Sequence, residues 1–495
     1  MKLHYSLAAL NTSFQNITES TINNDISFGM YKHSFIAVNG NLVISNIQFE
    51  SQVEIRNGYD IKFVDCVFNN GIILSVGINA DVMFDSCFLL GEINFSGHQQ
   101  KNLVVKFHEC KSDVMKLKLA IKFANVQIIH SEFSEVECIE KSTSLLIDNC
   151  EIDKVEVDSE SHKNLKILDS KVTSLRVTES ENAIVELICS EVSEVFMSSF
   201  FSLFEILSSK VDNIHLKLIR KKSVLRLSGK SEIGLLHLSN CNGIHVDMKY
   251  AYINELKLDE IHGASDLSIR NIKKLEYLEL NSVSVPVRLS HLMLKKLAIS
   301  NTEFQKINLS HIHWSNRFEL LSARAHSNEM EKYLDLVETS RELKQYFTKK
   351  QNEFYAETFR ISELRSHFYY LKSLIVSRHF NFLQFVDWLV LGTNKWFSNF
   401  GTNPLLSISY LLGFHFLLFL PLLILFNPNL GYSFCLNPFD ENCSIAFSLN
   451  LLNPIHSLSD IDGNKVYSVV DFFMRLSSGY FIYYFLRGTR KFGRS

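Results

Sequence analysis

The sequence predicts a multidomain chain: a parallel β-solenoid of about 20 residues per coil, then an α-helical neck, then a two-helix transmembrane domain. Three observations carry this. A small residue recurs at a near-constant spacing through the first two hundred residues. A later stretch without Pro or Gly has helical periodicity. Two apolar runs follow near the end. The resulting division is 1–40, an N-terminal cap; 41–325, the solenoid; 326–378, the neck; 379–400, an interfacial helix; and 401–495, the membrane domain.

The repeat comes first, because a missed period misassigns the whole fold. Short apolar runs end in a small residue, any residue and another apolar one. Phe63–Phe68 (FVDCVF), Ile147–Ile152 (IDNCEI) and Ile206–Val211 (ILSSKV) are examples. The small residue stands at 66, 87, 110, 131, 150, 170, 190 and 209, in steps of 21, 23, 21, 19, 20, 20 and 19. A second alternating pair follows in each copy, such as Val155/Val157 and Leu175/Val177. Alternation marks strands with one buried face. Strands this short bury nothing alone but form a continuous apolar column when coils stack. Looser copies run on to Ile307/Leu309.

The stacked Cys and Ser residues read as small side chains at a tight corner rather than as a metal or redox ladder, because a buried thiol packs as a small apolar group. Glu135, Lys154, Glu156 and Arg176 read as a solvated outer face. No in-phase column of His with Asp or Glu appears, so a catalytic groove of the polysaccharide-lyase kind is not expected. His311 and His313 flank Ile312 and fit a strand face without a metal. Gly-rich phosphate loops, nucleophile elbows and metal-ligand spacings are absent, so neither an enzyme nor a cofactor is expected. Apolar residues make up 46% of the 495, enough to build a core and to exclude a disordered polymer. The net charge of −3 gives no basic face for nucleic acid. No CxxC occurs among the nine cysteines. The patch Leu3–Leu10 is too short and polar for a secretory signal. The solenoid is therefore expected in the cytoplasm with its thiols reduced.

In the neck, Leu336, Leu343, Phe347, Phe354, Ile361 and Phe368 follow seven- and four-residue steps, one helical stripe. The stripe would pack on a hairpin partner or the solenoid end, or form a coiled-coil seam between copies. Phe380–Leu391 is aromatic and apolar but too short to span, so it reads as a helix lying among lipid headgroups. Leu405–Phe426 has 22 residues without a charge, roughly 33 Å of helix and enough for a bilayer core. Its His415 is either a proton-sensitive site or a hydrogen-bonding partner for a neighbouring helix. The second span, Val466–Leu486, carries Asp471 and Arg475 four residues apart on one face. They form an ion pair near the outer interface or line a polar path between helices. Arg487, Arg490, Lys491 and Arg494 follow without an acid, whereas the loop before is acidic (Asp440, Glu441, Asp460, Asp462). The positive-inside rule then places both termini in the cytoplasm and the loop outside. Cys435 and Cys443 in that loop would meet an oxidising space, where a disulfide between them is expected.

The segments Arg341–Asn352 (RELKQYFTKKQN), Asn394–Gly401 (NKWFSNFG), Asn453–His456 (NPIH) and Arg490–Arg494 (RKFGR) resemble a group of bacterial membrane proteins. In that group a pentapeptide-type or related β-solenoid precedes a helical neck and a two-span domain. The likeness covers about residues 335–495; the solenoid resembles the group in kind only, without its Ala-Asp/Asn-Leu pentads. Some relatives carry a potassium-channel-like pore loop. This chain has only Leu430–Tyr432 (LGY) there, so potassium selectivity is not carried over. The group is largely uncharacterised and supplies no catalytic residues. The resemblance implies a bacterial inner-membrane protein. The reading that follows from this architecture is a solenoid that senses or binds a protein partner and acts on the lipid bilayer. Two spans cannot enclose a pore, so a homo-oligomer is required if it permeabilises the membrane, as an anti-phage effector of abortive infection would. The alternative is a passive anchored scaffold.

Overall fold

The computed structural model describes residues 19–490 apart from 29–33, 50–52, 91–92, 96–102, 120–123, 139–143, 159–163, 179–182, 199–200, 220–221, 264, 273, 324–325, 327, 420, 423–451 and 456–464. Residues 1–323 and 324–495 form two units.

The first unit is a repeat-type parallel β-solenoid of about 11 coils. Its described strands begin at Glu19–Phe28, pairing in parallel with Ser34–Phe49, so the ladder starts upstream of residue 41. The last is Ile307–Leu321. In the middle coils each turn has one strand before the corner and one after it. Asn164–Leu168 pairs with Ser144–Asp148 below and Ala183–Ile188 above; Lys171–Thr178 pairs likewise with Glu151–Asp158 and Glu191–Ser198. Parallel pairing in register stacks equivalent side chains. Leu145, Leu165, Val185 and Phe204 form one inward column and Val155, Leu175, Val195 and Ile214 another, all at most 2% exposed. A third inward column, Ile128, Ile147 and Ile167 in the middle coils, becomes aromatic toward the N-terminus. Phe63, Phe84 and Phe107 stack at 4.9 and 5.0 Å between ring centres, and Phe68 stands edge-on to Phe63 and Phe84.

The corner explains the recurring small residue. The residue just before it is left-handed in coil after coil: Asp65, Ser86, Glu109, His130, Asn149, Asp169, Cys189 and Ser208 all have φ between 43° and 53°. That residue's N–H bonds the next coil's carbonyl, as Asn149 does to Leu168. The N–H after the corner does the same backward, as Lys171 does to Cys150. The small residue's own buried N–H is served by a side chain instead. Cys110 N–H donates to Ser131 Oγ at 3.0 Å, Cys150 N–H to Ser170 Oγ at 3.0 Å and Ser190 N–H to Ser209 Oγ at 3.1 Å. Ser131 N–H donates to Cys150 Sγ at 3.4 Å. The position therefore needs a side chain that is small and also accepts a hydrogen bond. Replacing Ser170 by Ala should cost about 1–3 kcal/mol, the penalty of a buried donor without an acceptor. Ser170→Cys, which imitates Cys150, should cost less. Urea unfolding of both variants checks this, and equal losses would refute the acceptor role.

The second unit is helical: α1 (Glu329–Lys349), α2 (Glu353–Val376), α3 (Phe382–Ser398), α4 (Pro404–Gly413) and α5 (Lys465–Arg490). Asn328, Asn352, Asn381 and Asn403 each cap a helix, the side chain accepting a backbone N–H of the first turn. At α3 the cap is reciprocal: Asn381 accepts from Gln384 N–H and the Gln384 side chain accepts from Asn381 N–H. The predicted neck is an intramolecular hairpin. α1 and α2 pack on each other, with Leu336, Leu343, Phe347, Ile361 and Phe368 of the stripe buried. Phe354, by contrast, is 55% exposed, beside the turn. Ser340 Oγ donates to Ser362 Oγ, and Glu363 accepts from both Arg341 and Lys344 across the hairpin.

The described helices do not support the expectation of two spanning helices, and residues 420 and 423–426 of the first, 405–426, lie outside the described residues. Among the described residues no helix is long and apolar enough to cross a membrane. In the first stretch α4 ends at Gly413 and a π-helical segment, Phe414–Phe419, follows. In the second, α5 carries Asp471 and Arg475 among Ser and Tyr residues within 466–486, which lowers the apolarity of that stretch.

Candidate functional site

Two places in the molecule carry unusual chemistry. The first is the polar interior of the helical unit. The turn after α3 holds three successive left-handed residues, Asn399, Phe400 and Gly401, at φ 48°, 61° and 82°. Ser398 secures it: its Oγ donates to Asn394 and accepts from Gly401 N–H at 3.0 Å. The turn drives Phe400 inward against Ile361 and Phe368, with Trp388 and Leu391 around them. Lys395 lies over the Phe368 ring at 4.5 Å and donates to Tyr369 Oη at 3.2 Å, tying α3 to α2. The NKWFSNFG motif is thus a turn-forming element that folds α3 and positions α4. Ser407 of α4 donates back to the Phe397 carbonyl at 3.1 Å.

Against α4 packs α5, through Phe397, Tyr410, Phe414 and Phe481, whose rings meet at 5.0–6.5 Å. Asp471 lies on α5, 1% exposed. Arg475 Nε donates to Asp471 Oδ2 at 2.7 Å, one helical turn apart. The two residues that the sequence placed on one face are therefore a direct ion pair, buried on the carboxylate side. Arg475 Nη2 and the Tyr480 hydroxyl are also buried and make no hydrogen bond among the described residues. His415 is 1% exposed within the π segment, its ring edge-on to Phe416 at 5.0 Å. Arg487 and Arg490 belong to α5. Cys435, Cys443, Lys491 and Arg494 lie outside the described residues, as does the expected disulfide.

The second place is the outer surface of the solenoid. Outward side chains also stack in register. Lys154 bridges Glu135 and Glu156 at 2.7 and 2.6 Å, so the expected charged face pairs with itself. One column runs Arg176, Phe196, His215, His237 and Lys257 over five coils. Arg176 sits over Phe196 at 5.7 Å, and His215 meets His237 at 5.8 Å. Burial, and then the neighbouring His215, lowers the His237 pKa. His291 and His311 stack at 4.7 Å, one coil apart. Flat columns of this kind suit contact with an extended partner. Among the described residues no group of three or more His, Cys, Asp or Glu is placed to hold a metal ion.

The buried cysteines, Cys241 at a corner and Cys138 at the end of a strand, are chemically quiet. Burial pushes the Cys138 thiol up to about 12 and the Cys241 thiol to about 11. Cys189 differs: it occupies the left-handed position rather than the inward one and is exposed. Iodoacetamide on the native protein at mildly alkaline pH should modify Cys189 and spare Cys66, Cys87, Cys110, Cys138, Cys150 and Cys241. Peptide mass mapping reads this, and labelling of Cys138 as fast as Cys189 would contradict the buried column.

The apolar exterior of the helical unit falls on the runs that the sequence singled out, 380–391 and 405–426. Phe382, Leu383, Leu405 and Leu417 are 71–82% exposed. No family model, no curated protein and no solved structure matches this chain. What stands from the resemblance is the repeat-type solenoid.

Proposed function

We propose that this chain is a membrane-anchored binding protein of the bacterial inner membrane: the solenoid takes a protein partner, and the helical unit holds it at the bilayer. One observation carries the reading. Among the described residues the solenoid exposes few large apolar side chains, namely Leu207, Leu218, Tyr250 and Met293, whereas α3, α4, the π segment and α5 expose many, including Phe382, Leu417, Phe472 and Leu476. So many exposed large apolar side chains on one helical unit suit contact with an apolar medium. That 405–426 and 466–486 cross the bilayer, with both termini cytoplasmic, is part of this proposal. Solenoids bind more often than they catalyse, because repeated flat faces suit extended partners.

The buried Asp471–Arg475 pair favours a second step. Several copies, assembled through the helical unit, would permeabilise the membrane once the solenoid is engaged, as a defence effector against phage would. The test is a voltage-sensitive dye in bacteria carrying the full chain, or the chain truncated after Asn403, before and after phage infection. Depolarisation only on infection, and only with the full chain, supports the effector. Full-chain protein in the membrane fraction without depolarisation leaves a passive anchored scaffold. Full-chain protein in the soluble fraction defeats both.

A further inference from the structure

The corner between α2 and α3 has a composition and a shape that single out one kind of surface. Val376 at the end of α2 is 74% exposed, and Phe382 and Leu383 at the start of α3 are 77% and 71% exposed. Between and beside them Lys372, Arg378 and His379 are exposed. Arg378 adopts the left-handed conformation, φ 59°, and turns the chain sharply there. No Asp or Glu occurs from residue 364 to 386. The acid before this stretch, Glu363, is already neutralised by Arg341 and Lys344. The acid after it is Asp387, a turn into α3. The capping box closes the α3 N-terminus, so the exposed apolar residues sit on a fixed scaffold and not on a loose loop.

Resting on the membrane reading above, we infer that this corner is a docking wedge for an anionic phospholipid surface: Val376, Phe382 and Leu383 enter the headgroup layer while Lys372 and Arg378 meet lipid phosphates. A soluble polyanion would match the cations but give the apolar tip nothing to bury. A neutral apolar groove would match the tip but not the cations. An anionic bilayer surface offers both.

The test uses the full chain, reconstituted from detergent into vesicles of phosphatidylcholine alone or mixed with phosphatidylglycerol, and treated briefly with trypsin. Cleavage after Lys372 and Arg378, followed by mass spectrometry, should be about thirtyfold slower in the anionic vesicles at low salt, since two fixed cations gain the surface attraction. Raised salt should restore it. Cleavage after Lys349, at the other end of the hairpin, should be the same in both lipids. The F382S/L383S chain should lose most of the protection. Equal cleavage in both lipids, in a chain that floats with the vesicles, overturns the inference and leaves the membrane reading standing. A chain that floats with neither overturns both. Equal protection by heparin without vesicles overturns the inference in favour of a soluble polyanion.

Discussion

Phe84→Ala should destabilise the N-terminal coils by about 3–5 kcal/mol, the range for removing a fully buried Phe. Phe84 has no exposed surface and joins two columns. It stacks between Phe63 and Phe107 along one and meets Phe68 edge-on from the other. Each such ring pair adds about 0.5–1.5 kcal/mol beyond the area buried. Truncation therefore removes three aromatic contacts and leaves a void whose walls are held by strand pairing on both sides, Phe63↔Phe84 and Phe84↔Phe107. In a stacked repeat the loss is local, because each coil touches only its neighbours. Amides of residues 61–89 should exchange hydrogen much faster, while those of residues 165–216 keep their protection. Phe84→Leu should cost less than about 2 kcal/mol, since much of the volume is retained. Uniform loss of protection along the whole solenoid would show that the coils do not behave as nearest-neighbour units. No loss at all would show that the aromatic stack is not a structural column.

The solenoid was legible because its constraint repeats. A corner with a buried N–H returns every coil, and only Cys and Ser answer it in the best-ordered copies, so the spacing stands out. The left-handed residue before it was less legible. Asn149 and Asp169 are usual for that conformation, but Glu109 and Cys189 are not. There the ladder above and below imposes the backbone, and the residue follows. In the neck, helical period alone found the buried stripe and misplaced only Phe354, because a period says nothing of where a hairpin turns. Asn352, the cap that begins α2, marks that turn. The spans were the least legible element. Counting apolar residues in 405–426 takes no account of a change of helix type at Phe414, and in 466–486 the spacing showed Asp471 and Arg475 on one face but not how deeply either is buried. Of the candidate site, the Asp471–Arg475 pairing followed from a four-residue spacing, whereas the burial of one partner and not the other is a matter of packing that no spacing encodes.

That asymmetry yields the sharpest test of the helical unit. Arg475→Met should destabilise it by about 3–5 kcal/mol, the cost of leaving a buried charge without its counter-ion. The Asp471 side chain is 2% exposed, whereas that of Arg475 is 22% exposed. Asp471→Leu should cost less, about 1–2 kcal/mol, because a partly exposed guanidinium regains water when its partner goes. The double change Asp471→Leu/Arg475→Met should lie near the native stability, since well-packed apolar residues of similar volume replace a buried pair at little cost. Thermal unfolding of the four proteins in one detergent measures the coupling. If the two single effects simply add, the pair is not an energetic unit. If the double variant is as stable as the native chain yet no longer depolarises cells on infection, the pair is kept for function rather than for folding. A charged pair retained where an apolar one would serve the fold equally well is what the permeabilising reading requires. A double variant that is both stable and active would remove the main reason for that reading and leave the anchored scaffold.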